Sequence, residues 1–327
     1  MKSELLLKVK RGKLTEREHF GFLILVDKKE NIISKKGNYE DNSFFLRSCA
    51  KPFQALPVIT SGTYSKFNFT PAELAVICSS HTASKEHLLL IKSILKKIGL
   101  TEKNLQCGTH DPIDTETKNY LIKRDLKASP IHNNCSGKHS GMLAVCKAMN
   151  WDINAYLDFD HPLQKHYIEI IKKLCNIKES IELSIDGCGA PVYGMPFYKM
   201  GFGFLKLFLS QEAELIKKAF IQHPTVIGGN GRLDSEIIKA SHGKLIAKVG
   251  AEGLCIVVNP KEEQALVVKI MDANIPARSI VAIESLRQLG WLSSKEIETI
   301  EISNLYDLKV KNLNGIQVGE VQPVFQI

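Results

Sequence analysis

A serine followed three residues later by a lysine can do covalent chemistry, and the pair occurs in Arg47-Ser48-Cys49-Ala50-Lys51-Pro52. At a helix start this spacing sets both side chains on one face, one turn apart. A serine hydroxyl is a weak nucleophile until a base takes its proton. A lysine amine held neutral by burial and neighbouring cations is such a base. The positive end of the helix favours the negative charge that then develops on the serine. The spacing by itself is common, and a serine beginning a helix with a surface lysine behind it is its usual meaning.

Penicillin-binding enzymes and class A β-lactamases use the same spacing, but their companion Ser-Asp-Asn and Lys-Thr-Gly motifs are missing here. Other segments gather polar side chains. Cys78-Ser79-Ser80-His81-Thr82-Ala83-Ser84 crowds hydroxyls and an imidazole between two predicted helices, where an oxyanion or carboxylate could be held. Capping accounts for Ser84 and Thr82, but not for Ser80 or His81. His132-Asn133-Asn134-Cys135-Ser136-Gly137-Lys138-His139-Ser140-Gly141 precedes an amphipathic stretch, and its two glycines are expected to let the backbone approach a ligand. Asp186-Gly187-Cys188-Gly189 ends a strand-like run and is either a receiver for an ammonium group or a plain turn. Gly228-Gly229-Asn230-Gly231-Arg232-Leu233-Asp234 fits neither the Walker nor the dinucleotide spacing. Its Arg232 and Asp234 would fix an amino-acid substrate or pair with each other. Lys269, inside an apolar run, must point out of the core or into a polar site, as a solvated edge or a catalytic group.

Elements of two kinds must position these groups. Residues 4–10 and 21–26 read as strands. Near Ser48 the apolar period becomes 3.6, with Pro52 in a first helical turn that tolerates its missing N–H. Further helices are predicted over 71–78, 84–98, 137–149, 162–175, 211–222 and 232–240, then strands over 244–249, 253–258 and 264–271, and a closing helix over 277–290. The expected fold is α/β of the α+β kind, one domain over 1–327. A mostly antiparallel sheet would come from about 1–45 and 244–290, with a helical region over about 50–240. The cleft between them is the natural place for a site.

Composition narrows the partners. The chain has 327 residues and carries 43 basic against 35 acidic ones, a formal charge of +8. Lysines such as Lys92, Lys96, Lys172 and Lys218 fall on polar helix faces, and no stripe of arginines and aromatics suits nucleic acid. No stretch approaches the roughly 20 apolar residues of a membrane span, and the first residues lack the pattern of a signal peptide. A cytoplasmic protein is therefore expected, with its eight scattered cysteines mostly free thiols.

Read in order, Arg47-Ser48-x-x-Lys51-Pro52, Ser79-Ser80-His81, Cys107-Gly108, the His132–His139 segment, Asp186-Gly187-Cys188-Gly189 and Gly228-Gly229-x-Gly231-Arg232-x-Asp234 resemble the Rhizobium-type L-asparaginase II family. The resemblance is collinear over nearly the whole chain. It implies a fold like that of serine β-lactamases and glutaminases, and hydrolysis of L-asparagine to L-aspartate and ammonia. It also implies two serine–lysine pairs, Ser48 with Lys51 and Ser80 with Lys269. Arg47 and Asp186 would hold the substrate's α-carboxylate and α-ammonium, with His139 and Arg232 as further substrate-binding residues. Ser48 is favoured as the attacking group because its lysine is locked one turn away. A homodimer is expected. Where the family pattern has glycine after the aspartate that follows the strand lysine, this chain has Ala273.

Cys135, Lys138 and Cys188 form a candidate Zn²⁺ site: two thiolates suit the metal, and a neutral lysine amine is an uncommon third ligand. The serine–lysine chemistry itself requires no cofactor. A glutaminase or β-lactam-directed hydrolase on the same scaffold is the alternative, since one methylene separates the two amides and discriminates by only ~1–3 kcal/mol. A non-catalytic amino-acid-binding protein is a third reading, disfavoured because Ser48 and Lys51 are both present.

Overall fold

The structure is a computed structural model that describes residues 2–40, 42–301 and 304–327, so Met1 and Asp41 of the expected N-terminal strand region lie outside the described residues. The chain opens with β1 (Glu4–Arg11), β2 (Leu14–Asp27), β3 (Ile32–Lys36) and β4 (Ser43–Phe45). Helices follow: α1 (Lys51–Thr60), α2 (Thr63–Lys66), α3 (Pro71–Ile77), α4 (Lys85–Lys97), α5 (Thr115–Lys123), α6 (Ser136–Met149) and α7 (Pro162–Leu174). Next come β5 (Glu182–Ile185), β6 (Pro191–Pro196), α8 (Phe197–Leu209), α9 (Glu214–Gln222), α10 (Pro224–Gly228) and α11 (Leu233–Ala240). The chain closes through β7 (Ile246–Val249), β8 (Leu254–Asn259), β9 (Gln264–Ile270), α12 (Ile275–Gln288), α13 (Ser294–Glu301), β10 (Lys309–Lys311) and β11 (Gln317–Pro323).

The main sheet runs β10-β11-β1-β2-β9-β8-β7, with β3 also on β2, and its paired strands are antiparallel. The long β2 explains the mixed character of its sequence. Its polar first half lies exposed beside β1, while Gly21 to Val26 is buried between β3 and β9. Strands β7 and β8 are buried at every position, and β9 at all but its first residue; α8 and α12 pack against β8 and β9, and α11 and α9 against β7. A second sheet, β4-β6-β5, lies outside this layer. The buried apolar side chains form one connected cluster through sheet and helices.

The fold class read from the sequence is therefore the observed one, mixed helix and antiparallel sheet, although α5, α13 and β6 had no counterpart among the predicted elements. The C-terminal strands β10 and β11, which extend the sheet beyond β1, had no counterpart in the predicted elements. Neither did α8 (Phe197–Leu209), whose buried face is largely aromatic and aliphatic. Last, Gly137 and Gly141 do not open the backbone to a ligand. A Cβ at Gly137 would lie 2.1 Å from the Val76 carbonyl oxygen, and one at Gly141 would lie 2.6 Å from Ile77 Cγ2. The two glycines, one turn apart, let α6 press against the end of α3. Ala273, in place of the glycine of the family pattern, has φ +58° and bears the left-handed conformation that glycine tolerates without cost.

Candidate active site

Lys51 opens α1 and is almost wholly buried, 1% exposed. Its Nζ lies 2.6 Å from the Ser79 carbonyl oxygen, 3.2 Å from the Asn134 carbonyl oxygen and 3.0 Å from Ser80 Oγ. Burial lowers its pKa from the ordinary lysine value; the Cys135 side chain opposes this and the Lys248 ammonium adds to it. In the neutral amine two N–H groups can go to the two carbonyls, which aims the lone pair at the Ser80 hydroxyl. Close packing of α3 on α6 brings these carbonyls together, because Ser79 and Ser80 follow α3 and Asn134 precedes α6.

Ser80 meets a second lysine. Lys248 Nζ, at 0% exposure, is 3.3 Å from Ser80 Oγ, 2.8 Å from Asp234 Oδ2 and 3.2 Å from the Val249 carbonyl oxygen. The pairing of Ser80 with Lys269 read from the sequence is not formed. The Lys269 ammonium donates to the backbone oxygens of Glu252 and Ile270 and lies 5.5 Å from the Phe44 ring centroid. Lys248 was missed although it carries the same signal as Lys269, a lysine within an apolar strand. Sheet order separates them: β7, with Lys248, is the last strand of the sheet and touches both α11 and the Arg47–Ala50 turn.

Ser48 lies in a 3₁₀ turn (Arg47–Ala50) leading into α1; the Lys51 N–H donates to its carbonyl. It is half-buried, and no hydrogen bond joins its hydroxyl to Lys51 among the described residues. Arg47, at φ +48°, places Nε 2.9 Å and Nη2 2.8 Å from Asp186 Oδ1, and Nη1 3.3 Å from Glu252 Oε1. The two groups assigned to opposite ends of a substrate thus neutralise each other here. His81 has a structural task after all: its ring nitrogens bond Ser136 Oγ at 2.9 Å and the Ala83 N–H at 3.0 Å, tying the α3–α4 loop to α6. Arg232 lies apart from the lysines, lining a cavity of about 250 Å³ with Thr82, His87 and Asp114. It is not hydrogen-bonded to Asp234, whose partner is Lys248.

The family model of L-asparaginase II matches residues 7–323. The chain belongs to the L-asparaginase II family. As a member it is an amidohydrolase with a small-molecule substrate. A β-lactamase from Mycobacterium bovis is similar at 11% identity, over 86% of this chain and 94% of that one, with a TM-score of 0.42. A D-alanine carboxypeptidase AmpC from Burkholderia cenocepacia is similar at 11% identity, over 87% of this chain and 93% of that one, with a TM-score of 0.35. No curated protein matches. No helix among the described residues is long and apolar enough to cross a membrane.

Beside Lys51, this L-asparaginase II family member gathers Cys135, Lys138, His139 and Cys188, all buried. Lys138 Nζ is 3.1 Å from Cys188 Sγ. A hydrogen bond from Cys188 holds the Cys135 thiol well below its ordinary value, against burial. Burial works against the Lys138 cation, but Cys188 and Cys135 together raise its pKa. Burial pushes the His139 imidazole down to about 4, partly offset by the nearby Cys188 thiol. Its Nδ1 is 2.7 Å from the Tyr156 hydroxyl, and its buried Nε2 has no hydrogen-bond partner among the described residues. All eight cysteines are buried and unpaired.

Proposed function

We propose that the protein hydrolyses L-asparagine to L-aspartate and ammonia by acyl transfer to Ser48. The observation that carries this reading is the buried row Lys51–Ser80–Lys248–Asp234 beside a half-buried serine one turn from Lys51. Ser80 Oγ is walled between two lysines and is 5% exposed, which suits a hydroxyl that passes protons. Ser48 is the more accessible of the two, which suits the group that must meet the substrate. Ser48 Oγ attacks the side-chain amide carbon and its proton goes to Lys51, whose lone pair must first turn from Ser80 to Ser48. The tetrahedral intermediate collapses with cleavage of the C–N bond, and the Ser80 hydroxyl, resupplied from Lys51, protonates the leaving nitrogen. Water then attacks the ester with its proton passing to Lys51, and as the acyl C–O bond breaks Lys51 returns that proton to Ser48 Oγ, releasing aspartate. Arg47 and Asp186, exchanging their mutual contact for the substrate's α-carboxylate and α-ammonium, would orient it.

Zn²⁺ is proposed at Cys135, Lys138 and Cys188. Two thiols and a lysine amine in one buried cluster offer the sulfur and nitrogen donors the ion prefers, although no three His, Cys, Asp or Glu side chains among the described residues are arranged to hold a metal. When bound, the ion supplies positive charge next to the serine–lysine row.

Ammonia release from L-asparagine and L-glutamine by wild type, Ser48→Ala and Ser80→Ala tests the reading. Wild type should release ammonia from asparagine, with Ser48→Ala slower by about 10⁴-fold or more and Ser80→Ala by about 100-fold. Full activity in Ser48→Ala would move the attack to Ser80. No ammonia from either amide in wild type would end the asparaginase reading.

A further inference from the structure

Asp234 has no part in the catalytic steps above, yet it is among the most fully enclosed charges in the molecule, at 0% exposure like Lys248. Its Oδ2 accepts from Lys248 Nζ at 2.8 Å and from the Val249 N–H at 3.3 Å, and its Oδ1 from the Ser235 N–H at 3.2 Å. The turn between α10 and α11 is shaped around this carboxylate. A Cβ at Gly228 would lie 2.2 Å from Oδ1, so only glycine leaves room for it, and the Gly228 N–H donates to Ser235 Oγ at 3.1 Å. The same segment holds the serine: the Ser80 N–H donates to the Ile227 carbonyl oxygen at 3.0 Å. One turn therefore sets both the backbone of Ser80 and the partner of Lys248.

We propose that Asp234 is a positioning residue for the reaction, fixing Lys248 so that its third N–H is held on Ser80 Oγ. The ammonium has three donors, and Asp234, the Val249 carbonyl and Ser80 Oγ are their three acceptors. Without the carboxylate the lysine has lost its counter-charge in a fully buried position, and the geometry that holds its third N–H on Ser80 Oγ is lost with it. A buried ion pair of purely structural use is replaceable by apolar residues with little or no loss of stability. This pair is aimed at a hydroxyl that also receives Lys51. Burial works against the Asp234 charge, but Lys248, by its charge and its hydrogen bond, more than compensates and lowers the carboxyl's pKa.

The inference rests on the serine–lysine reading, and the test separates the two. Wild type, Asp234→Asn, Lys248→Met and the double variant are compared in thermal midpoint, in kcat and KM for ammonia release from asparagine, and in the rate of serine labelling by diisopropyl fluorophosphate, located by mass spectrometry. Asp234→Asn should lose about 100-fold in kcat with KM nearly unchanged. The double variant should be no slower than Lys248→Met alone, and should regain the thermal midpoint lost in Asp234→Asn because no unpaired ammonium remains. Multiplicative losses in the double variant, or a wild-type kcat in folded Asp234→Asn, would overturn the role. If wild type labels on serine but releases no ammonia from asparagine, the substrate reading fails, and the four labelling rates decide the role of Asp234 in the same way. If wild type neither labels nor releases ammonia, the serine chemistry fails and the role of Asp234 with it.

Discussion

Two lysines in apolar strands, Lys248 and Lys269, are alike to any local reading, since each must lead its ammonium out of a buried strand to polar atoms. What separates them is where each ammonium ends: Lys269 on backbone oxygens over Phe44, Lys248 on Ser80 and Asp234. The metal proposal is decided at the same scale. Cys135 is held toward its thiolate while Lys138 keeps its proton, so a metal that takes all three side chains must displace protons from Lys138 and Cys188. Zinc binding should therefore strengthen as pH rises. Metal analysis of purified protein should find about one zinc per chain at pH 8, less at pH 6, and none in Cys188→Ser; equal content at both pH values would contradict the proton displacement.

At the scale of elements the site depends on how closely α6 meets α3. Because a side chain at position 137 would collide with the Val76 carbonyl, a backbone atom that cannot rotate aside, the two helices would have to part. Gly137→Ala should cost about 2 kcal/mol. It should also lower kcat, since the Asn134 and Ser79 carbonyls that hold Lys51 sit on opposite sides of that contact. Urea unfolding and ammonia release measured on the same preparation check both, and unchanged values would show that the helices adjust without moving Lys51. Caps agree in part: Ser84 stands at the N-cap position of α4, but its hydroxyl bonds His87 Nδ1 rather than the helix backbone. Thr70 and Glu73 form the capping box of α3, with Thr70 Oγ1 3.2 Å from the Glu73 N–H and Glu73 Oε2 2.7 Å from the Thr70 N–H.

For the whole molecule, acid is the condition most directly written into the structure. His87 is 2% exposed; its Nε2–H donates to the Val226 carbonyl oxygen at 3.2 Å, its Nδ1 lies 2.7 Å from Ser84 Oγ, and its ring stacks on His81 at 5.3 Å between centroids. Burial pushes its pKa from 6.5 down to about 4. A folded-state pKa below the unfolded one means that the unfolded chain binds the proton first as pH falls. The stability His87 contributes is thus intact above pH 6.5 and lost progressively down to about 4. At about 1.4 kcal/mol per pH unit the loss is on the order of 3 kcal/mol. Urea midpoints at pH 7 and pH 4.5 should fall less in His87→Gln than in wild type; an equal fall would assign the acid sensitivity elsewhere.

The amino-acid sequence alone determined the elements whose causes are local. The apolar run of β2 and the helix with Pro52 in its first turn were legible because period and first-turn chemistry act within a few residues. So were Ser48, Lys51, Ser80 and the 132–139 segment as chemically unusual. Their partners were not legible. Ser80 and Lys248 are 168 residues apart, and the choice of Lys248 over Lys269 rests on sheet order, with β8 between β7 and β9. Two strand spacings, about 10 Å, separate the β7 and β9 positions, farther than any hydrogen bond spans. The glycines of α6 likewise face a neighbouring helix rather than a ligand because of a packing partner that sequence spacing cannot name. Residue types announced the chemistry, and only the tertiary fold chose which of them meet.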